Sequence, residues 1–116
     1  MKFIKSGKGN WIQSRAYSKR ILLDKINLLS NNALVQIIRI KPHDVVADHF
    51  HKRTTEIFYG LSGSGTFIIN GNEIIFAKGD LLICEQGEIH ATRNPHNENW
   101  EYLAVKSDNK DDTYWL

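Results

Sequence analysis

The segment Gly65-Thr-Phe-Ile-Ile-Asn-Gly-Asn-Glu-Ile-Ile-Phe76 holds two short runs rich in β-branched and aromatic residues, one on each side of Asn70-Gly71. Asn-Gly accepts positive φ at both central positions of a type I′ turn. The twist of that turn matches the twist of two antiparallel strands. The segment therefore reads as a β-hairpin, with strands over 65–69 and 72–76.

The same signal continues in both directions. Upstream, 33–41 is dense in Val and Ile and stops at Pro42, which cannot donate to a ladder. A second run covers 55–61. Downstream, Lys78-Gly79-Asp80 marks a turn, and strands are expected over 81–85, 88–92 and 100–106. Near the N-terminus, 20–24 reads as a strand and 25–32 as a loop, because the apolar residues there form no helical stripe. Short strands at close, regular spacing predict an all-β chain of two antiparallel sheets, a sandwich or barrel.

Composition bounds the rest. The chain has 116 residues, 41% hydrophobic and 10% aromatic, enough for one packed core. Its 15 basic and 13 acidic residues are interspersed, for a net charge of +2. No basic stripe suggests nucleic acid, and no polybasic cluster suggests anionic lipid. No segment has the length and apolarity to span a bilayer, and the N-terminus does not read as a signal peptide. A lone cysteine, Cys84, permits no internal disulfide. A cytoplasmic protein is the expectation.

The chemistry concentrates in Asp48-His-Phe-His-Lys-Arg-Thr-Thr-Glu56. Side chains alternate along an extended chain, so His49 and His51 share a face. A four-residue turn then precedes Glu56, and an antiparallel return brings its carboxylate beside the two imidazoles. Two nitrogens and one oxygen suit zinc, iron, manganese, nickel or cobalt. His90, in Gly87-Glu-Ile-His-Ala-Thr-Arg-Asn94, is the candidate fourth ligand.

The segment from His49 to Gly63 resembles the first cupin motif: His-x-His, four residues, Glu, six residues, Gly. Gly79 to Asn94 is similar to the second motif, matched at Gly79, Gly87, His90 and Asn94. There are two departures: His43 stands where a glycine is usual, and Glu85 where a proline is usual. The resemblance implies a single cupin domain over residues 1–116, folded as a double-stranded β-helix (jelly-roll) barrel. It further implies one divalent transition metal held by His49, His51, Glu56 and His90, with a small-molecule ligand beside it.

Four protein ligands on a six-coordinate ion leave two adjacent positions for a bidentate oxygen ligand. Sugar or sugar-phosphate isomerisation and dioxygenation both suit such a site. A non-catalytic binding or sensor module is the alternative. Phe58, Arg93 and Tyr102 are candidate substrate contacts, with Arg39 and Glu101 as further titratable nominees. His43 and His96 read as surface residues, and Cys84 as a small buried apolar one. Apolar residues on both faces of the strands bearing Phe50, Ile57 and Tyr59 call for a cover. A second subunit, making a homodimer, is the expected one. The N-terminal segment and the C-terminal Tyr114-Trp-Leu are the others.

Overall fold

The computed structural model describes residues 1, 3–7, 9–24, 33–108 and 112–116. The described residues form eleven strands and no helix. One sheet contains β1 (Ile12–Gln13), β2 (Ser18–Leu23), β3 (Leu34–Ile40), β5 (Thr55–Ser62), β8 (Leu81–Cys84) and β10 (Trp100–Ser107), in the order β1-β2-β3-β10-β5-β8. The other contains β4 (Val45–His51), β6 (Ser64–Ile69), β7 (Asn72–Ala77), β9 (His90–Arg93) and β11 (Thr113–Trp115), in the order β11-β4-β9-β6-β7. Every pairing is antiparallel. The expected all-β double-stranded β-helix is thus the observed fold.

The central hairpin has the turn its sequence demands. Asn70 has φ 48° and Gly71 φ 83°, and β6 pairs with β7 from Ile69↔Asn72 outward. The strand expected over 20–24 begins two residues earlier, at Ser18. The loop expected over 25–32 lies outside the described residues. Two short strands were not foreseen, β1 and β11.

Alternation places one side of each sheet in the core. Ile38, Ile40, Phe58, Trp100, Tyr102 and Ala104 come from one sheet, and Val46, Phe67, Ile69 and Phe76 from the other. Phe67 is the hub. Its ring lies 4.8 Å from Phe58, 5.2 Å from Trp100 and 5.1 Å from Phe76. Trp100 reaches this position because Gly65 leaves room for it: a Cβ there would sit 2.1 Å from its Cε3.

The two departures from the cupin motifs have local structural counterparts. His43 takes φ 67°, a left-handed conformation that glycine adopts freely, and its Nε2 lies 2.9 Å from Asn97 Oδ1. At Glu85 the backbone N–H donates to Glu88 Oε1 at 2.7 Å, a bond that proline cannot make.

The apolar residues that call for a cover lie on different sheets: Ile57 and Tyr59 are on β5 in the larger sheet, and Phe50 is not with them. It lies on β4 in the opposite sheet, stacked on Tyr114 of the same chain with centroids 5.1 Å apart. The C-terminal strand β11, pairing as Tyr114↔Phe50, supplies that cover.

Candidate metal centre

His49, His51, Glu56 and His90 meet at one end of the barrel. Each offers one ligand atom, and the four atoms lie within 4.8 Å of one another. Their supports differ. His49 and His51 share the inner side of β4, and His49 is paired with His90 on β9 (His49↔His90). Glu56 comes across from β5 in the facing sheet. The two motifs therefore converge because the sandwich closes β4 and β9 over β5.

The outward nitrogen of each ring is held. Nδ1 of His49 lies 2.8 Å from the Ala47 carbonyl, Nδ1 of His90 3.1 Å from the Glu88 carbonyl, and Nδ1 of His51 3.3 Å from Thr113 Oγ1. Where Nδ1–H donates to a carbonyl, Nε2 keeps a free lone pair, the form a metal requires. Nε2 of His51 and of His90 lie 2.7 Å and 3.3 Å from Glu56 Oε1. Both are buried, yet neither makes a well-directed hydrogen bond. Buried nitrogens aimed at a shared point beside a carboxylate are costly alone and are satisfied by a cation. The residues present therefore fit a divalent metal.

Protonation of the metal-free cluster is uneven. Burial lowers His49 to about 4, assisted by the neighbouring His90. Burial also opposes charge on Glu56, but the adjacent His51 and His90 rings outweigh it and hold the carboxyl well below the usual range. At His90, burial alone would lower the pKa. Contacts with Cys84 and Glu56 win, raising it to about 10. Cys84 Sγ lies 3.3 Å from His90 Nδ1 and is buried, as the sequence reading expected of this thiol.

The raised pKa of His90 means that its proton stabilises the metal-free fold fully below about 6.5, with the effect lost as pH rises through about 10. Metal must displace that proton, so affinity climbs with pH across this window. His49 and Glu56 already stand deprotonated at neutral pH. Calorimetric metal titration at pH 7.5 in two buffers of different ionisation enthalpy should register release of about one proton per ion. Release of none would contradict this protonation pattern.

The cluster opens into a cavity of about 50 Å³. That is room for roughly four water-sized groups, so the part of any ligand that lies against the ion is small. Phe58 and Tyr102 line it. Burial and the nearby Glu56 charge push the Tyr102 phenol well above its usual value, so it remains protonated. Arg93 does not line the cavity: its guanidinium pairs with Glu73 on β7 at 2.7 Å. Arg39 and Glu101 pair with each other at 2.6 Å, and Arg39 stacks on Trp11, also away from the site. His43 and His96 are exposed and remote from the cluster.

The sequence reading missed Tyr17, Gln36, Lys106, Thr113 and Trp115, all of which line the cavity. Gln36 and Lys106 were within reach of it, since each shares the inward parity of its strand with buried neighbours. Trp115, 4.6 Å from His49 and beneath the Arg15 guanidinium, arrives with the unforeseen strand β11.

A jelly-roll barrel with three imidazoles and a carboxylate gathered at one end defines a class of small β-proteins with a donor set that fits a metal. This chain belongs to the cupin family, whose domain matches residues 36–106. The oxalate-binding protein of Thermotoga maritima is 30% identical over 102 residues, 88% of this chain and 79% of that protein. A crystal structure from Thermotoga maritima, described as a predicted oxalate decarboxylase, superposes with a TM-score of 0.84 at 26% identity, covering 93% of this chain and 100% of that one. The polyketide cyclase RemF of Streptomyces resistomycificus shares the fold with a TM-score of 0.86 at 19% identity, covering 100% of this chain and 85% of that one.

Proposed function

We propose that the protein is a metal-dependent cupin in which His49, His51, Glu56 and His90 hold one divalent transition ion that chelates a small oxygen-rich acid, and that it acts on this acid as a metalloenzyme. The observation that carries this reading is the convergence of the buried, unsatisfied Nε2 atoms of His51 and His90 on Glu56. A bound ion supplies Lewis acidity towards oxygen atoms placed beside it. The chain's own residues orient the ligand rings through Nδ1, wall the site with Phe58, Phe67 and Val46, and present the neutral Tyr102 phenol to the cavity. The small cavity favours a two- or three-carbon acid over a whole sugar phosphate. The oxalate-binding relative makes oxalate the first ligand to test.

Non-catalytic binding is the second reading, and a specific observation favours it. Apart from the four ligands, the titratable side chains lining the cavity are Tyr17, Tyr102 and Lys106, and none is paired as a nucleophile with a base. Incubating metal-loaded protein with ¹³C-labelled oxalate and following it by NMR separates the two. Disappearance of the oxalate signal supports the enzyme, and binding with the signal unchanged supports the module.

The outer face of the larger sheet supports a homodimer. Two apolar rows cross four strands, Val35-Val105-Ile57-Ile83 and Ile37-Leu103-Tyr59-Leu81. Leu81 is 62% and Ile83 52% exposed. A continuous apolar face of this kind is typical of a contact surface. Light scattering should give twice the chain mass for the parent and the chain mass for Leu81→Asp. A monomeric parent would exclude the dimer. Among the described residues no helix is long and apolar enough to cross a membrane. The single buried cysteine suits a reducing cytoplasm.

A further inference from the structure

Lys106 and Glu56 face each other across β10 and β5, paired as Lys106↔Glu56, and both belong to the inward-facing set that lines the cavity. Lys106 forms no ion pair with any described residue. Gln36 of β3, paired with Ala104 two residues before Lys106, lines the same cavity; it is 4% exposed, and its Oε1 has no hydrogen-bond partner. An ammonium outside any ion pair and a buried amide whose acceptor oxygen is orphaned share one small cavity, and with its amide turned Gln36 would present a donor there beside Lys106.

We propose that Lys106 and Gln36 form the second half of the ligand site and make it selective for a small dianion, a dicarboxylate that chelates the ion through one end and meets Lys106 with the rest of its charge. This rests on the metal-dependent reading above. The charges count in its favour. Apart from the histidines, Glu56 and Lys106 carry the formal charges among the described residues lining the cavity. A divalent ion less the Glu56 charge leaves one positive charge, and Lys106 adds a second. A dianion brings this site to neutrality, whereas a neutral hydroxy-carbonyl leaves two positive charges uncompensated. Gln36 completes the arrangement by turning its amide, which exchanges Oε1 for Nε2 in nearly the same volume and offers an N–H to a carboxylate oxygen.

The test uses the full chain loaded with cobalt(II), whose visible spectrum reports changes at the ion. Oxalate and the neutral chelator hydroxyacetone are titrated into the parent and into Lys106→Met, Lys106→Arg and Gln36→Leu. Lys106→Met should keep its cobalt and its spectrum, lose about tenfold or more in oxalate affinity, and bind hydroxyacetone as the parent does. Lys106→Arg should retain most of the affinity, and Gln36→Leu should show a smaller loss than Lys106→Met. The proposal is overturned if Lys106→Met binds oxalate like the parent, or loses both ligands equally, or if the parent prefers hydroxyacetone. A parent that takes up no cobalt fails at the earlier step and removes the metal-dependent reading with it.

Discussion

His90→Ala should lower metal affinity by about a hundredfold or more, while His43→Ala and His96→Ala leave it unchanged. Outer partners of metal ligands already cost ten- to a hundredfold when removed, and His90 is proposed as a direct ligand. It reaches the cluster from β9, far in sequence from His49 and His51 on β4, so its loss tests whether the two motifs act together. His43 and His96 are exposed, and His43 bonds to Asn97 rather than to the cluster. Elemental analysis after dialysis against trace chelator reads the outcome. Full metal in His90→Ala, with loss in His43→Ala, would reverse the assignment. His51→Ala carries a second consequence, because it also frees the Thr113 hydroxyl on β11. Its metal loss should come with weaker docking of the C-terminal strand, visible as faster amide exchange at Tyr114.

Gly65→Ala should be among the most damaging single-methyl changes. Its Cβ would lie 2.1–2.6 Å from three ring atoms of Trp100, which is fully buried and packed on Phe67. Overpacking of a rigid core costs about 1–3 kcal/mol and more where nothing can move aside. The ring cannot rotate away, so a loss of about 3 kcal/mol or more is expected. That corresponds to a fall in Tm on the order of 10 °C for a domain of this size. Gly65→Ala should cost much less in a Trp100→Leu background, where the atoms struck by the new methyl are gone. If its cost is the same in both backgrounds, the clash is not the cause. Gly71→Ala is the contrast. No atom lies near its Cβ, and its cost comes from φ 83° alone, about 1 kcal/mol.

Much of this architecture could be read from local chemistry. Asn70-Gly71 set the central hairpin because few other dipeptides tolerate positive φ twice in succession. Strands such as β3 and β10 announced themselves by alternation, with Ile38, Ile40, Tyr102 and Ala104 facing in and Arg39 and Glu101 facing out. The same alternation carried the information that Gln36 and Lys106 face the cavity. Their polarity suggested surface, whereas parity placed them inside. Arg93 is the converse case: it is near His90 in sequence, but parity turns it outward to Glu73.

What local chemistry could not supply was long-range pairing. Strand β11 is three residues long and has no periodicity to detect. It exists because β4 offers it an edge, because Asp112 accepts from the Arg53 N–H at 2.7 Å and the Thr54 hydroxyl at 3.1 Å, and because Tyr114 stacks on Phe50. Those contacts span about sixty residues of sequence, and they bring Thr113 to His51 and Trp115 to His49. The placement of Phe50 follows from the same pairing. His49, His51 and Glu56 were legible as a group because the extended strand and its return fix them locally. His90 lies on a distant strand, so the residues alone offered it only as a candidate, and the resemblance of both segments to the cupin motifs tied it to the group.

The most direct test of the central claim is anomalous diffraction from crystals of the cobalt-loaded protein. A single strong anomalous peak is predicted at the point shared by His49, His51, Glu56 and His90. A peak at the exposed His43 or His96 with none at this cluster, or full occupancy with His90 turned away from the ion, would contradict it.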